Sequence, residues 1–144
     1  MELYEHLEWI RSAILEILEN ANLGVNNIIF GDRTRVGELK PPVIWILPED
    51  SPVEQSGQGE NWVYKFVVAV VIKDTDPDKG RMKANRIAAQ AEAALHRSHT
   101  LNQSVRDVQK VRYLPGDIRG QGAEQLHGAG YEMEAKFRYL EREA

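Results

Sequence analysis

The sequence predicts an α+β domain, a mostly antiparallel sheet of about five strands with two helices packed on it. Three patterns predict this. Apolar residues recur at spacings of three and four near the N-terminus, a long β-branched run fills the middle, and strict alternation marks the C-terminal stretch. The predicted order is α-β-β-β-α-β-β within one domain spanning 1–144.

The first helix rests on Leu3, Leu7, Ile10, Ile14 and Leu18, one apolar stripe with glutamates opposite. Asn20-Ala21-Asn22-Leu23-Gly24 supplies residues that tolerate the left-handed conformation ending helices. Asn27 to Phe30 reads as a brief strand, stopped by Gly31-Asp32. Pro41-Pro42 forces an extended approach into Val43-Ile44-Trp45-Ile46-Leu47, a strand closed by Pro48. The stretch 49–61 has acids, Pro, Ser and two Gly without periodicity, and is expected to be a long exposed loop. Trp62 to Lys73 is the longest strand. Its second half is apolar on both faces, which predicts a central strand covered twice.

Asp74 to Asp78 then predicts a turn and a helix cap. The second helix runs from about Asp78 to Arg97, with Met82, Ile87, Ala88, Ala91 and Leu95 expected on its apolar side. Val105 to Leu114 and Gly130 to Glu141 are the last strands, separated by a glycine-rich loop at 115–129. In the final strand Tyr131, Met133, Ala135, Phe137 and Tyr139 alternate with Glu132, Glu134, Lys136 and Arg138, one face in and one face wet.

Composition narrows the function classes. Hydrophobic residues at 42% and charged residues at 28% match a folded globular chain and not a disordered or collagen-like one. The longest apolar run, Phe66 to Ile72, is far short of a spanning helix. The acidic, amphipathic start at Met1 to Glu5 is unlike a signal peptide. Without cysteine there is neither a disulfide nor a thiolate. A formal charge of −4 argues against a bulk nucleic-acid binder.

The candidate chemical motifs each lack a necessary part. His96 and His99 share a spacing that suits a metal, but no third ligand is organised around them. Asp74, Asp76 and Asp78 open like a calcium loop, yet Lys79 stands where its glycine belongs and Asn85 where its glutamate belongs. Gly31 to Gly37 has two arginines and two glycines without the Lys-Ser/Thr end of a phosphate loop. No nucleophile elbow occurs. No catalytic residue, metal or cofactor is therefore expected. Lys79, Arg81, Lys83 and Arg86 concentrate positive charge on the second helix, and without aromatic neighbours they read as a solvated or subunit-facing patch.

The element order, with the Pro-bounded strand at Pro42 to Pro48, the long strand from Tyr64 to Asp74 and the alternating aromatics from Tyr131 to Tyr139, resembles the tail-terminator or tail-completion family of long-tailed phages. That family is related to minor tail and head–tail joining proteins. The resemblance spans nearly the whole chain and lies in element order, with no diagnostic motif. It implies a structural virion protein without enzymatic activity, assembled in the host cytoplasm. It further implies a ring, usually of six subunits, that caps the tail tube, meets the head-side connector and lets DNA slide through its lumen. No membrane is involved. The residues expected to touch neighbouring subunits or partners are Arg33 and Arg35, Glu54 and Gln58 in the first long loop, Arg119 and Gln121 in the second, and Glu132, Glu134, Lys136 and Arg138 on the last strand. The same mixture of elements also permits a cellular ferredoxin-like domain that binds a small ligand or regulates.

Overall fold

The structure, a computed structural model, describes residues 1–31, 40–116 and 125–140. It contains two helices and a six-stranded, mostly antiparallel sheet. Helix α1 (Leu3–Asn20) begins where the Glu2 N–H donates to the Glu5 carboxylate at 2.9 Å. It buries Ile10, Ala13, Ile14 and Leu18, offsets of three, four and eight from Ile10, as a core-facing stripe requires. Strands β1 (Asn27–Phe30) and β2 (Val43–Pro48) follow and pair in parallel.

Next come β3 (Val53–Ser56) and the 15-residue β4 (Gly59–Lys73). Helix α2 (Pro77–Arg97) starts as foreseen. Asp76 is its N-cap, its carboxylate accepting from the Asp78 and Lys79 N–H groups at 3.0 and 3.2 Å, and Pro77 takes the first helical position, where no N–H is needed. Strands β5 (Asp107–Pro115) and β6 (Leu126–Leu140) close the fold.

The sheet order is β1-β2-β4-β6-β5. β4 and β6 form its spine, paired from Gly59 opposite Leu140 to Lys73 opposite Leu126. Along the other edge of β4 lie first β3 and then β2. Both helices pack on one face, over Ile44, Ile46, Phe66, Val68, Val70, Met133 and Ala135. At one end His6 stacks on Phe137 at 4.4 Å between centroids, and Phe137 stacks on Trp62 at 5.6 Å. The His6 Nε2–H donates to the Ser104 carbonyl at 2.6 Å, tying α1 to the turn before β5.

Four features differ from the expectations. The stretch 49–61 is not a loop throughout. Residues 53–56 form β3, joined to β4 by the two-residue turn Gly57-Gln58 with Gly57 at φ 65°. All four β3 residues are exposed, so the strand is held by its backbone ladder and leaves no hydrophobic alternation. The second loop is shorter at its C-terminal side, because β6 begins at Leu126, where pairing with β4 continues. Met82 does not join the apolar side of α2 but is 72% exposed. Gly80 and Ala84 join the expected Ile87, Ala88, Ala91 and Leu95 in the buried stripe, its glycine and alanines bringing the helix close to the sheet. Finally, β4 is central but its second face is covered only locally, by a small cluster of Val43, Val71, Ile29, Trp45 and Leu126.

Candidate functional site

Opposed residues in an antiparallel sheet project to the same side, so the register defines what the helix-free face presents. At one end Arg138, Asn61 and Glu54 form a row. Next come Lys136 with Val63 and Asp107, then Glu134 with Lys65 and Gln109, then Glu132 with Val67 and Arg112. Beyond them the surface turns apolar, with Leu47 beside Val67, Trp45 beside Ala69, and Val43 beside Val71. The helix-free face is thus charged on one half and apolar on the other. Val63, Val67, Ala69, Trp45 and Leu47 on it are only half-buried.

Five of the residues singled out by sequence therefore share one face: Glu54, Glu132, Glu134, Lys136 and Arg138. Their environments differ. Arg138 is fixed in place, donating to Asn61 Oδ1 at 3.0 Å and to the Ser56 carbonyl at 2.7 Å. It locks the β3–β4 hairpin onto β6. Glu134 lies 3.6 Å from Lys65 Nζ. Lys136, Glu54 and Gln58 are exposed, Gln58 at the tip of the hairpin turn. Glu132 departs from the wet-face expectation, its side chain only 8% exposed and held by the Arg112 guanidinium, whose Nε–H donates to it. A carboxylate this buried needs a charged donor, and Arg112 supplies one from the neighbouring strand. Arg33, Arg35, Arg119 and Gln121 lie outside the described residues.

Sequence reasoning missed Arg112, Trp45 and Lys65 as members of this face, because membership depends on which strands are neighbours. The Trp45 indole N–H donates to the Gly31 carbonyl, fixing the ring at the edge of the apolar half.

Other candidate sites are weaker. An open depression of about 490 Å³ lies between the end of α1 and β1, lined by Leu18, Glu19 and residues 22–28. His96 is exposed, and His99 stands 3.6 Å from the Asp107 carboxylate. Among the described residues no group of three or more His, Asp or Glu side chains is placed to hold a metal ion. Among the same residues no helix is long and apolar enough to cross a membrane. Tyr64, facing the helices beneath α1, has its phenol pushed up to about 12, chiefly by burial and secondarily by the Glu8 carboxylate, with Arg11 opposing.

What fold and face define is an α+β domain with a sheet covered on one side. No protein-family model matches the chain, and no curated protein does. Among solved structures, a chain of "Virion of native gene transfer agent (GTA) particle" is similar over 88% of this chain and 92% of that one, at 12% identity and a TM-score of 0.49. At that identity and score, no role transfers from one to the other.

Proposed function

We propose that this protein is an architectural, non-catalytic virion subunit of the tail-terminator type, forming a ring that caps a tail tube and meets the head-side connector. The single observation that carries this reading is the helix-free sheet face. Its apolar half leaves Trp45, Leu47, Val67 and Ala69 half-exposed and borders on Glu132 with Arg112 and Glu134 with Lys65, while the charged half runs on to Lys136, Arg138 and Glu54 at the far end. An apolar patch rimmed by charge is the usual anatomy of a protein contact surface. The element order read from the sequence supplies the second support. In this reading the protein joins the particle in the host cytoplasm, contacts the tail tube protein and the connector, and lines a passage for DNA without binding its bases.

The direct test is end-capping. Purified protein is incubated with tail tubes of the same particle that lack their completion ring, then sedimented and imaged. Density at one end of each tube, with loss of further lengthening, is the expected result. Free protein with bare tube ends at saturating concentration would refute the role. The depression beside residues 22–28 favours a second reading, a small-ligand module, since its volume falls in the range of ligand pockets. However, the chain order α-β-β-β-β-α-β-β is not the β-α-β-β-α-β order of a ferredoxin-like domain.

A further inference from the structure

The outward faces of the two helices carry opposite charge. Helix α1 has four glutamates, Glu5, Glu8, Glu16 and Glu19, all exposed, against Arg11 alone, which lies 3.6 Å from Glu8, while Glu16 accepts from the Asn102 amide at 3.3 Å. Their spacing places them on one stripe opposite the buried Ile10, Ile14 and Leu18. Helix α2 has five basic residues against Asp78 and Glu92. Lys79, Lys83 and Arg86 line up at spacings of four and three, all exposed. Asp78 is taken by Arg81 at 2.7 Å, so these three make no ion pair among the described residues.

A second, independent observation falls on the same two surfaces. The most exposed large apolar side chains among the described residues are Met82, at 72%, and Tyr4, at 68%. Met82 lies one turn from both Lys79 and Arg86 on α2, and Tyr4 one turn from Glu8 on α1. Each helix therefore presents an apolar anchor bordered by charge of one sign. Thioether and phenol rings attract one another, and such anchors rather than rim charges supply most of the energy of a contact.

We propose that α1 of one copy docks on α2 of a second copy of this chain, Tyr4 against Met82 with the glutamate stripe facing Lys79, Lys83 and Arg86. In the ring each copy offers α1 to one neighbour and α2 to the other, a heterologous contact of the kind that gives a ring when the rotation per subunit closes. The inference rests on the ring reading and names the surfaces through which the ring closes. It leaves the helix-free sheet face available to other proteins.

The test uses the full chain and two charge-reversed variants, one with Lys79→Glu, Lys83→Glu and Arg86→Glu, the other with Glu8→Lys, Glu16→Lys and Glu19→Lys, which spares the Glu5 cap of α1. All six positions are exposed, and the melting temperature of each variant is measured to check that it folds. Mass is measured by light scattering across a concentration series. The native chain is expected to form rings, and each variant alone is expected to need at least about tenfold more protein to assemble, the cost of facing like charges. An equimolar mixture of the two variants is expected to recover rings, since each then meets its opposite. Rings that persist unchanged in both variants would overturn the helix contact and leave the ring reading standing. A native chain that stays monomeric at every concentration would overturn both. A native dimer that is lost in each variant and restored in the mixture would overturn the ring and the heterologous geometry while retaining the pairing of the stripes.

Discussion

Gly80 is the point where α2 seats on the sheet, and replacing it with alanine tests that seating. A Cβ at this position would stand 2.1 Å from Cδ2 of His127 and 2.6 Å from its Cγ and Nε2. The ring cannot yield freely, because its Nε2–H donates to the Asp74 carbonyl at 3.0 Å. Accommodating the methyl means rotating the ring away, which gives up about 1 kcal/mol of hydrogen bond, or displacing the helix, at about 1–3 kcal/mol for overpacking. Against this, alanine is favoured over glycine inside a helix by about 1 kcal/mol. The net loss for Gly80→Ala is therefore about 0–2 kcal/mol, with a fall in Tm of about 3 °C for each kcal/mol in a chain of this size. In the His127→Ala background the clash is gone and only the propensity remains, so the same substitution becomes neutral or stabilising. Thermal melts of the four proteins at one concentration complete the double-mutant cycle. If Gly80→Ala stabilised the native background by the full propensity gain, α2 would not rest on His127 as described.

Three further outcomes follow from named contacts. Arg112→Ala leaves the buried Glu132 carboxylate without its donor and is expected to cost about 1–3 kcal/mol in urea unfolding, with most of the loss recovered when Glu132→Gln is added. Asp76→Ala removes the acceptor for two N–H groups at the start of α2 and should cost about 1 kcal/mol in the same assay. Tyr64 governs the alkaline limb: its phenol loses its proton more readily unfolded than folded, so the native state holds the extra proton between pH 10 and about 12, and stability falls as pH rises through that window. Spectroscopic titration of tyrosinate should show a late-ionising step that Tyr64→Phe removes.

Much of this fold was legible from local pattern. The stripe Ile10, Ile14 and Leu18 identifies α1, Asp76-Pro77 marks the start of α2, and the alternation from Tyr131 to Tyr139 identifies the face of β6 that meets the helices. What escaped depended on neighbours distant in sequence. β3 is exposed at all four residues, so no burial pattern records it, although Gly57-Gln58-Gly59 has the glycine-first form of a two-residue hairpin turn. Met82 drew the eye by its hydrophobicity, but the buried stripe of α2 is built from Gly80, Ala84, Ile87 and Ala91, and Met82 lies off that line. Glu132 occupies the polar phase of an alternating strand, and its burial follows from β6 lying between β4 and β5. For the same reason the helix-free face was only half visible. Its charged residues on β6 can be read from alternation, whereas the addition of Arg112, Lys65 and Trp45 requires the sheet order.

The central claim is that this chain assembles with itself into a ring. Mass in solution by light scattering after size exclusion, followed by negative-stain imaging of the same peak, tests it most directly. A single species several times the subunit mass, seen as a closed ring with a central hole, is the predicted result; a compact dimer without a hole would contradict it.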